Sequence, residues 1–169
     1  QDREAVKDYS AAFLRKPGYV DAIFSRGLAY TSMGKFDSAV ADFTVIIAKL
    51  DSLHVQAYYS RGIALNKMGL TDQALADYNT AIRIDPGYSE PYMNRGNIWF
   101  SRNQYDAAIA DYNSVIRLNP GYGSAYLNRS FAFFRANRYR EALADALKAK
   151  DLKMEVPPQY IIDLQKSIK

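Results

Sequence analysis

Four arginine–aspartate pairs with a common spacing are the residues of this sequence whose types and positions could do chemistry. In each pair the arginine precedes the aspartate by 16 residues, and the pairs recur every 34 or 35 residues. The pairs are Arg26 with Asp42, Arg61 with Asp77, Arg95 with Asp111, and Arg129 with Asp145. A guanidinium group can hold a carboxylate through two parallel hydrogen bonds. Two interpretations follow: an ion pair inside each repeating unit, or a row of arginines that binds an acidic ligand.

The other reactive residue types favour neither catalysis nor a metal site. The chain has no Cys and a single His, His54. Without Cys there is no disulfide, thiolate ligand or Cys nucleophile. No histidine pair or Gly-rich phosphate loop is present either. We therefore expect no enzyme activity, no cofactor and no metal, and we interpret His54 as an exposed linker residue.

Composition limits the classes of partner. The sequence is 49% apolar and 24% charged, as in an ordinary folded protein, and its net charge is +4. A nucleic-acid binder concentrates more basic charge on one face, so we expect no nucleic-acid partner. No run of about 18 apolar residues exists, so we expect no membrane span. The absence of Cys leaves localisation open. Since the chain opens on Gln1 rather than Met, we expect it to be a piece of a longer protein.

The period divides the chain into units. A fixed period near 34 residues is the length of one helix–turn–helix unit. We expect a half repeat at residues 2–17, full repeats at 20–51, 55–86, 89–120 and 123–153, and a closing helix at 157–169. Residues 51–54 carry the one extra residue of the array, and no proline ends the helix before them. We expect this joint to be the least regular.

The repeated pattern resembles the tetratricopeptide repeat. In the third unit its residues are Tyr92, Gly96, Trp99, Ala108, Tyr112 and Pro120. The resemblance implies an all-α fold, a right-handed superhelical solenoid of helix–turn–helix repeats in one domain over residues 1–169, with a C-terminal capping helix. We expect the repeat glycines, such as Gly27, to face small alanines, such as Ala39, across each hairpin. The family usually carries Leu where this chain repeats Arg, and we favour a structural ion pair at those positions.

The resemblance also implies that the first helix of each repeat lines a concave groove. Side chains off the packing face of these helices form an apolar strip flanked by amides. Such a strip suits an extended peptide, since Asn amides can both donate to and accept from a peptide backbone. The predicted groove residues are Phe24, Leu28, Tyr59, Ile63, Asn66, Met93, Asn94, Asn97, Phe100, Leu127, Asn128, Phe131 and Phe134.

The function predicted from these patterns is a non-catalytic scaffold that binds a peptide or protein segment in the groove. Two alternatives remain open at this point. The array could be a targeting or regulatory arm of a larger enzyme or assembly. It could also form a homo-oligomer through an end repeat, because the half repeat at the N-terminus lacks a first helix. The sequence does not identify the partner.

Overall fold

Helices account for the regular structure of the chain. The computed structural model describes residues 2–16 and 18–168, while Gln1, Pro17 and Lys169 lie outside the described residues. No strand occurs in the described part. The helices are α1 Asp2–Arg15, α2 Val20–Ser32, α3 Phe36–Val45, α4 Val55–Lys67, α5 Thr71–Ile84, α6 Ser89–Ser101, α7 Tyr105–Leu118, α8 Gly123–Arg135, α9 Tyr139–Asp151 and α10 Pro158–Ser167. Within residues 2–16 and 18–168, every helix is too short or too polar to cross a bilayer.

The helices fall into two compact units, Gln1–Pro86 and Gly87–Lys169. The first holds α1 to α5 and the second α6 to α10, and within each unit every helix packs against the next. Each unit has its own apolar core. Phe43 and Ile46 are fully buried in the first, as are Val115 and Leu164 in the second.

Each of the four helical hairpins turns on a residue with left-handed backbone geometry. Gly34 and Gly69 have φ of 70° and 80°, and Asn103 and Asn137 both have φ of 59°. Glycine adopts this conformation without strain, and Asn tolerates it better than most residues. In the second unit a tyrosine hydroxyl two residues later donates to the asparagine side chain, as Tyr139 does to Asn137 at 2.7 Å.

The repeat glycines face aromatic rings rather than the alanines predicted from the sequence. A Cβ added at Gly27 would lie 2.6 Å from the ring of Phe43, and one at Gly62 would lie 2.6 Å from the ring of Tyr78. The prediction of a close approach at the glycine was sound, but its partner was wrong. The aromatic ring needs the space that a Cβ would fill, so glycine and ring belong together.

The fourth repeat replaces both members of this contact. Ser130 stands in place of the glycine, and Ala146 stands in place of the ring. Removing the ring makes room for the serine side chain, which is fully buried. The Ser130 hydroxyl donates to the Ala142 carbonyl at 2.7 Å, so the Tyr160 hydroxyl, 2.9 Å away, donates to Ser130. Helix α10 thus supplies the aromatic residue that α9 lacks.

The joint after the first full repeat is irregular, as its extra residue predicts. Helix α3 continues as a π-helical turn at Ile46–Leu50, and Asp51 N–H donates to the Ile46 carbonyl, five residues back, at 2.8 Å. At the end of α7 the corresponding bond spans four residues, from Asn119 N–H to the Val115 carbonyl. The wider turn accommodates the additional residue.

His54 is not the exposed linker residue predicted from the sequence. It is partly buried, and its ring lies 5.1 Å from that of Phe24 between centroids. Its Nδ1 accepts a hydrogen bond from the Ala57 backbone N–H at 3.2 Å, which caps the N-terminus of α4. A free N–H in the first turn of a helix needs such an acceptor, and no Ser, Thr, Asp or Asn occupies the cap position here.

Candidate functional site

Each repeated arginine lies against the aspartate 16 residues later, across its own hairpin. The arginine Nε and Nη2 both donate to the carboxylate, and the shortest distances are 2.6 or 2.7 Å in all four pairs. In the second full repeat, for example, Arg61 Nε and Nη2 lie 2.8 and 2.7 Å from the Asp77 oxygens. The arginine side chains are 17–21% exposed and the aspartates 6–9%. These are two-point ion pairs with little access for solvent.

The third guanidinium nitrogen links one repeat to the one before it. Nη1 of Arg26 donates to Ser10 Oγ at 3.2 Å, and Nη1 of Arg61 donates to Thr44 Oγ1 at 3.1 Å. Nη1 of Arg129 donates to Asn113. Each of these acceptors stands two residues after an aspartate, or after Asp8 in the half repeat.

Aromatic rings cover the faces of the same guanidinium groups. Arg61 lies 5.7 Å from the ring centroid of Tyr58, and Arg129 lies 5.6 Å from that of Tyr126, both three residues earlier on the same helix. The hydrogen bond to Asp77, outweighing burial, raises the pKa of Arg61. The same cause raises the pKa of Arg26 and Arg95 through their own aspartates. We propose a structural role for the pairs, because Arg26, Arg61 and Arg129 already use all three nitrogens within the protein.

The groove residues predicted for the first unit take different positions. Phe24 is partly buried and packs between Phe43 and His54, with ring centroids 5.6 and 5.1 Å away. Tyr59 and Ile63 are also partly buried, while Leu28 and Asn66 are exposed. The cavity described in this unit is instead lined by other residues: Val40, Thr44, Arg61, Leu65, Gln73, Ala76 and Asp77.

Four of the groove residues predicted for the second unit line one pocket. This pocket of about 280 Å³ is open to solvent on one side, and we call it the amide pocket. It is lined by Asn97, Phe100, Tyr112, Asn128 and Phe131. The side chains come from α6 and α8, the first helices of two repeats, and from Tyr112 on α7.

Polar atoms at the edge of the amide pocket are joined by hydrogen bonds. The Tyr112 hydroxyl and Asn128 Nδ2 both donate to Asn97 Oδ1, each at 2.9 Å. Within the described residues, no hydrogen bond occupies Asn97 Nδ2 or Asn128 Oδ1. Burial, followed by the nearby Asp111 charge, raises the pKa of Tyr112, so its hydroxyl keeps its proton and remains a donor. One amide donor and one amide acceptor therefore face the pocket mouth.

A second pocket adjoins the first and shares Phe100 and Phe131 with it. This pocket, of about 370 Å³, is completed by Phe134, Arg135 and Tyr160, and we call it the aromatic pocket. The Tyr160 ring lies 4.9 Å from that of Phe131 between centroids. Three of the five lining residues were not needed for the hairpin pattern and present apolar surface to solvent.

Other predicted groove residues contribute to packing or lie outside both pockets. Met93 and Leu127 are partly buried against the core of the second unit. Asn94 is partly buried, and it is Asn97 that bonds to Asn128.

Sequence reasoning missed Tyr112, Tyr160 and Arg135 as pocket residues. Tyr112 was assigned to hairpin packing, and its ring does pack on Gly96, but its hydroxyl reaches the pocket. Tyr160 comes from α10, about 30 residues beyond its contacts, so no local pattern relates it to them. The Tyr that precedes Arg61, Arg95 and Arg129 by three residues was a visible signal of the stacked guanidinium groups.

A family description matches part of the chain. Residues 55–88 and 89–122 match the tetratricopeptide repeat. These two segments correspond to the second and third full repeats, α4 to α7. No curated protein is significantly similar to the chain.

Solved structures share the fold along most of the chain. MamA has a TM-score of 0.82 at 24% identity, over 88% of this chain and 86% of MamA. A structure of MamA from residue 41 onward, from Desulfovibrio magneticus RS-1, has a TM-score of 0.81 at 20% identity, over 90% and 85%. YrrB, described as a TPR protein with an unusual peptide-binding site, has a TM-score of 0.76 at 19% identity, over 98% and 84%. With the matched repeats and the all-helical hairpin architecture, the chain is a tetratricopeptide repeat protein.

Proposed function

We propose that the chain is a non-catalytic scaffold that binds an extended peptide or protein segment on the second unit, across the amide and aromatic pockets. The observation that carries this proposal is the amide pocket itself. It places an unused amide donor and acceptor, on Asn97 and Asn128, beside the exposed rings of Phe100 and Phe131.

The chemistry of the pocket matches that of an extended peptide. A peptide backbone offers one N–H and one carbonyl per residue, which an Asn side chain can satisfy together. Adjacent rings can bury apolar side chains at about 25 cal/mol per Å² of apolar surface removed from water. YrrB, which shares the fold, is described as having a peptide-binding site. Tetratricopeptide arrays commonly present extended binding surfaces of this kind.

The test is a selection from a display library of random heptapeptides held between Gly-Ser flanks. We expect the protein to enrich a consistent set of peptides. The double variant Asn97→Ala/Phe100→Ala should lose that enrichment, because it removes the amide acceptor of Tyr112 and one wall of each pocket. Circular dichroism should show that the variant remains helical. The single variant Asn97→Ala, at an exposed position, should reduce enrichment with little effect on folding.

The matched control is Leu147→Ala, which truncates an exposed apolar side chain on α9, outside both pockets. It should enrich the same peptides as the unmodified protein. No enrichment by the unmodified protein, or equal enrichment by both Asn97 variants, would overturn the proposed site.

A further inference from the structure

The aromatic pocket contains one cation with no anionic partner. Arg135 is exposed at the C-terminus of α8. Among the described residues, no carboxylate lies within ion-pair distance of it. The four repeat arginines, in contrast, each hold an aspartate. Arg135 is therefore available to a charged group that enters the pocket.

Neighbouring rings hold the Arg135 guanidinium in place. It lies 5.5 Å from the ring centroid of Tyr105, a distance at which a cation is attracted to the ring face. Tyr105 in turn packs edge-on against Phe100, with centroids 5.7 Å apart, and its hydroxyl donates to Asn103. A cation that is already positioned loses less conformational freedom when an anion binds.

Helix geometry sets the distance between the charge and the apolar surface. Arg135 follows Phe131 by four residues, which is about 6 Å along the axis of α8 at 1.5 Å per residue. An extended peptide advances about 3.3 Å per residue, so two residues span about 6.6 Å. Alternate side chains of an extended peptide point the same way. Side chains two positions apart can therefore reach the ring of Phe131 and the guanidinium of Arg135 together.

We propose that the peptide bound here carries a bulky apolar residue and, two positions from it, an Asp or Glu. The apolar side chain lies between Phe100 and Phe131, with Phe134 and Tyr160 as further walls. The carboxylate pairs with Arg135, and the backbone beside the apolar residue bonds to Asn97 and Asn128. This inference rests on the proposed function and names the peptide class for the same site.

An internal acidic residue fits better than a chain terminus. The amide pocket lies on one side of the shared rings and Arg135 on the other. A peptide that uses all three must continue across the rings, so its carboxylate comes from a side chain. A single arginine, partly open to water, provides modest selectivity, about two- to five-fold in affinity over the Asn or Gln counterpart.

The experiment repeats the heptapeptide selection with Arg135→Gln and Arg135→Glu. Because every peptide lies between fixed flanks, no free C-terminus is displayed. We expect the unmodified protein to enrich peptides with an acid two positions from a bulky apolar residue. Arg135→Gln should keep the apolar preference and lose the acid, and Arg135→Glu should favour Lys or Arg at that position. The control Arg140→Glu, the same charge change at an exposed residue of α9, should leave the acidic preference intact.

Fluorescence anisotropy of one enriched peptide against its Asn or Gln counterpart then gives the affinity ratio, which should fall to about one in Arg135→Gln. Enrichment that depends on Asn97 and Phe100 but shows no acid, or an acid preference that survives Arg135→Glu, would overturn this inference while the proposed function stands. Loss of all pocket-dependent enrichment would overturn the proposed function and this inference together.

Discussion

At the scale of single residues, the repeat arginine is a structural link. In Arg61 two nitrogens hold Asp77, the third reaches Thr44, and the guanidinium face lies on Tyr58. The spacing of 16 residues predicts the partner because it places both residues at similar heights on antiparallel helices. The link to the preceding repeat and the stacked ring depend on how neighbouring repeats and turns of one helix meet, which pair spacing alone does not specify.

Removal of one carboxylate should therefore be costly. Asp77→Asn leaves the largely buried Arg61 without its counter-charge, and we expect it to lower the free energy of unfolding by about 3 kcal/mol. Urea denaturation followed by circular dichroism measures this. Asp106→Asn is the matched control, since its side chain is 93% exposed and the change should stay within about 0.5 kcal/mol. Equal effects of the two substitutions would show that the pair contributes no stability. The double variant Arg61→Met/Asp77→Leu should cost less than Asp77→Asn alone.

At the scale of elements, α10 is part of the last repeat as much as a cover for it. Its Leu164 is fully buried, and its Tyr160 bonds to Ser130 where α9 carries no ring. The amphipathic pattern of residues 157–169 predicts a closing helix with Leu164 inward, and Ile161 and Ile168 are partly buried as well. The exchange of Gly for Ser130 and of a ring for Ala146 is visible in the sequence. Its physical meaning appears only when both are found in one contact.

Leu164→Ala should lower the free energy of unfolding by about 2–5 kcal/mol, the usual cost of truncating a buried leucine. Ile162→Ala, two residues earlier at a position that is 43% exposed, is the control and should cost much less. Urea denaturation of both variants provides the comparison. If the two substitutions had the same effect, α10 would not be docked through Leu164.

The same scale shows why local patterns predict some features and miss others. An extra residue between repeats has to be accommodated in the backbone, so the irregular joint at residues 51–54 could be located without knowing its form. The cap made by His54 could not, because histidine is an uncommon cap residue and the ring of Phe24 is more than two helical turns away along the chain. The amide pocket was predicted in part, since Asn97, Phe100, Asn128 and Phe131 share a helix face, whereas Tyr112 and Tyr160 reach it from other helices.

At the scale of the whole molecule, tyrosine is the aromatic residue the protein uses most, with 14 copies in 169 residues. A tyrosine can fill apolar space with its ring and place a hydroxyl at the edge of that space. Tyr112 and Tyr160 do both, and burial raises the pKa of each. Their environments therefore make the stability of the second unit depend on alkaline pH.

The sign follows from the direction of the shift. In the unfolded chain a tyrosine loses its proton near pH 10, whereas folded Tyr112 retains it at that pH. Its contribution is fully present below pH 10 and is lost as pH rises toward the folded pKa. We expect the free energy of unfolding to fall between pH 9 and pH 11, and Tyr112→Phe to make that fall shallower. Urea denaturation across this range measures it. Tyr19→Phe, at an exposed position, should leave the slope unchanged, and an unaltered slope in Tyr112→Phe would contradict the assignment.

The arginine link also bears on how such an array can grow or shrink by gene duplication. A copied or deleted repeat brings its own arginine and aspartate, because both lie in one hairpin. The acceptor for the third nitrogen, however, belongs to the preceding repeat, and it is Ser10, Thr44 or Asn113 in the contacts described. All three side chains carry an oxygen that can accept. Recombination between repeats therefore preserves the link wherever the residue two positions after the aspartate keeps such an oxygen, so the compatibility of neighbouring repeats reduces at this contact to one tolerant position.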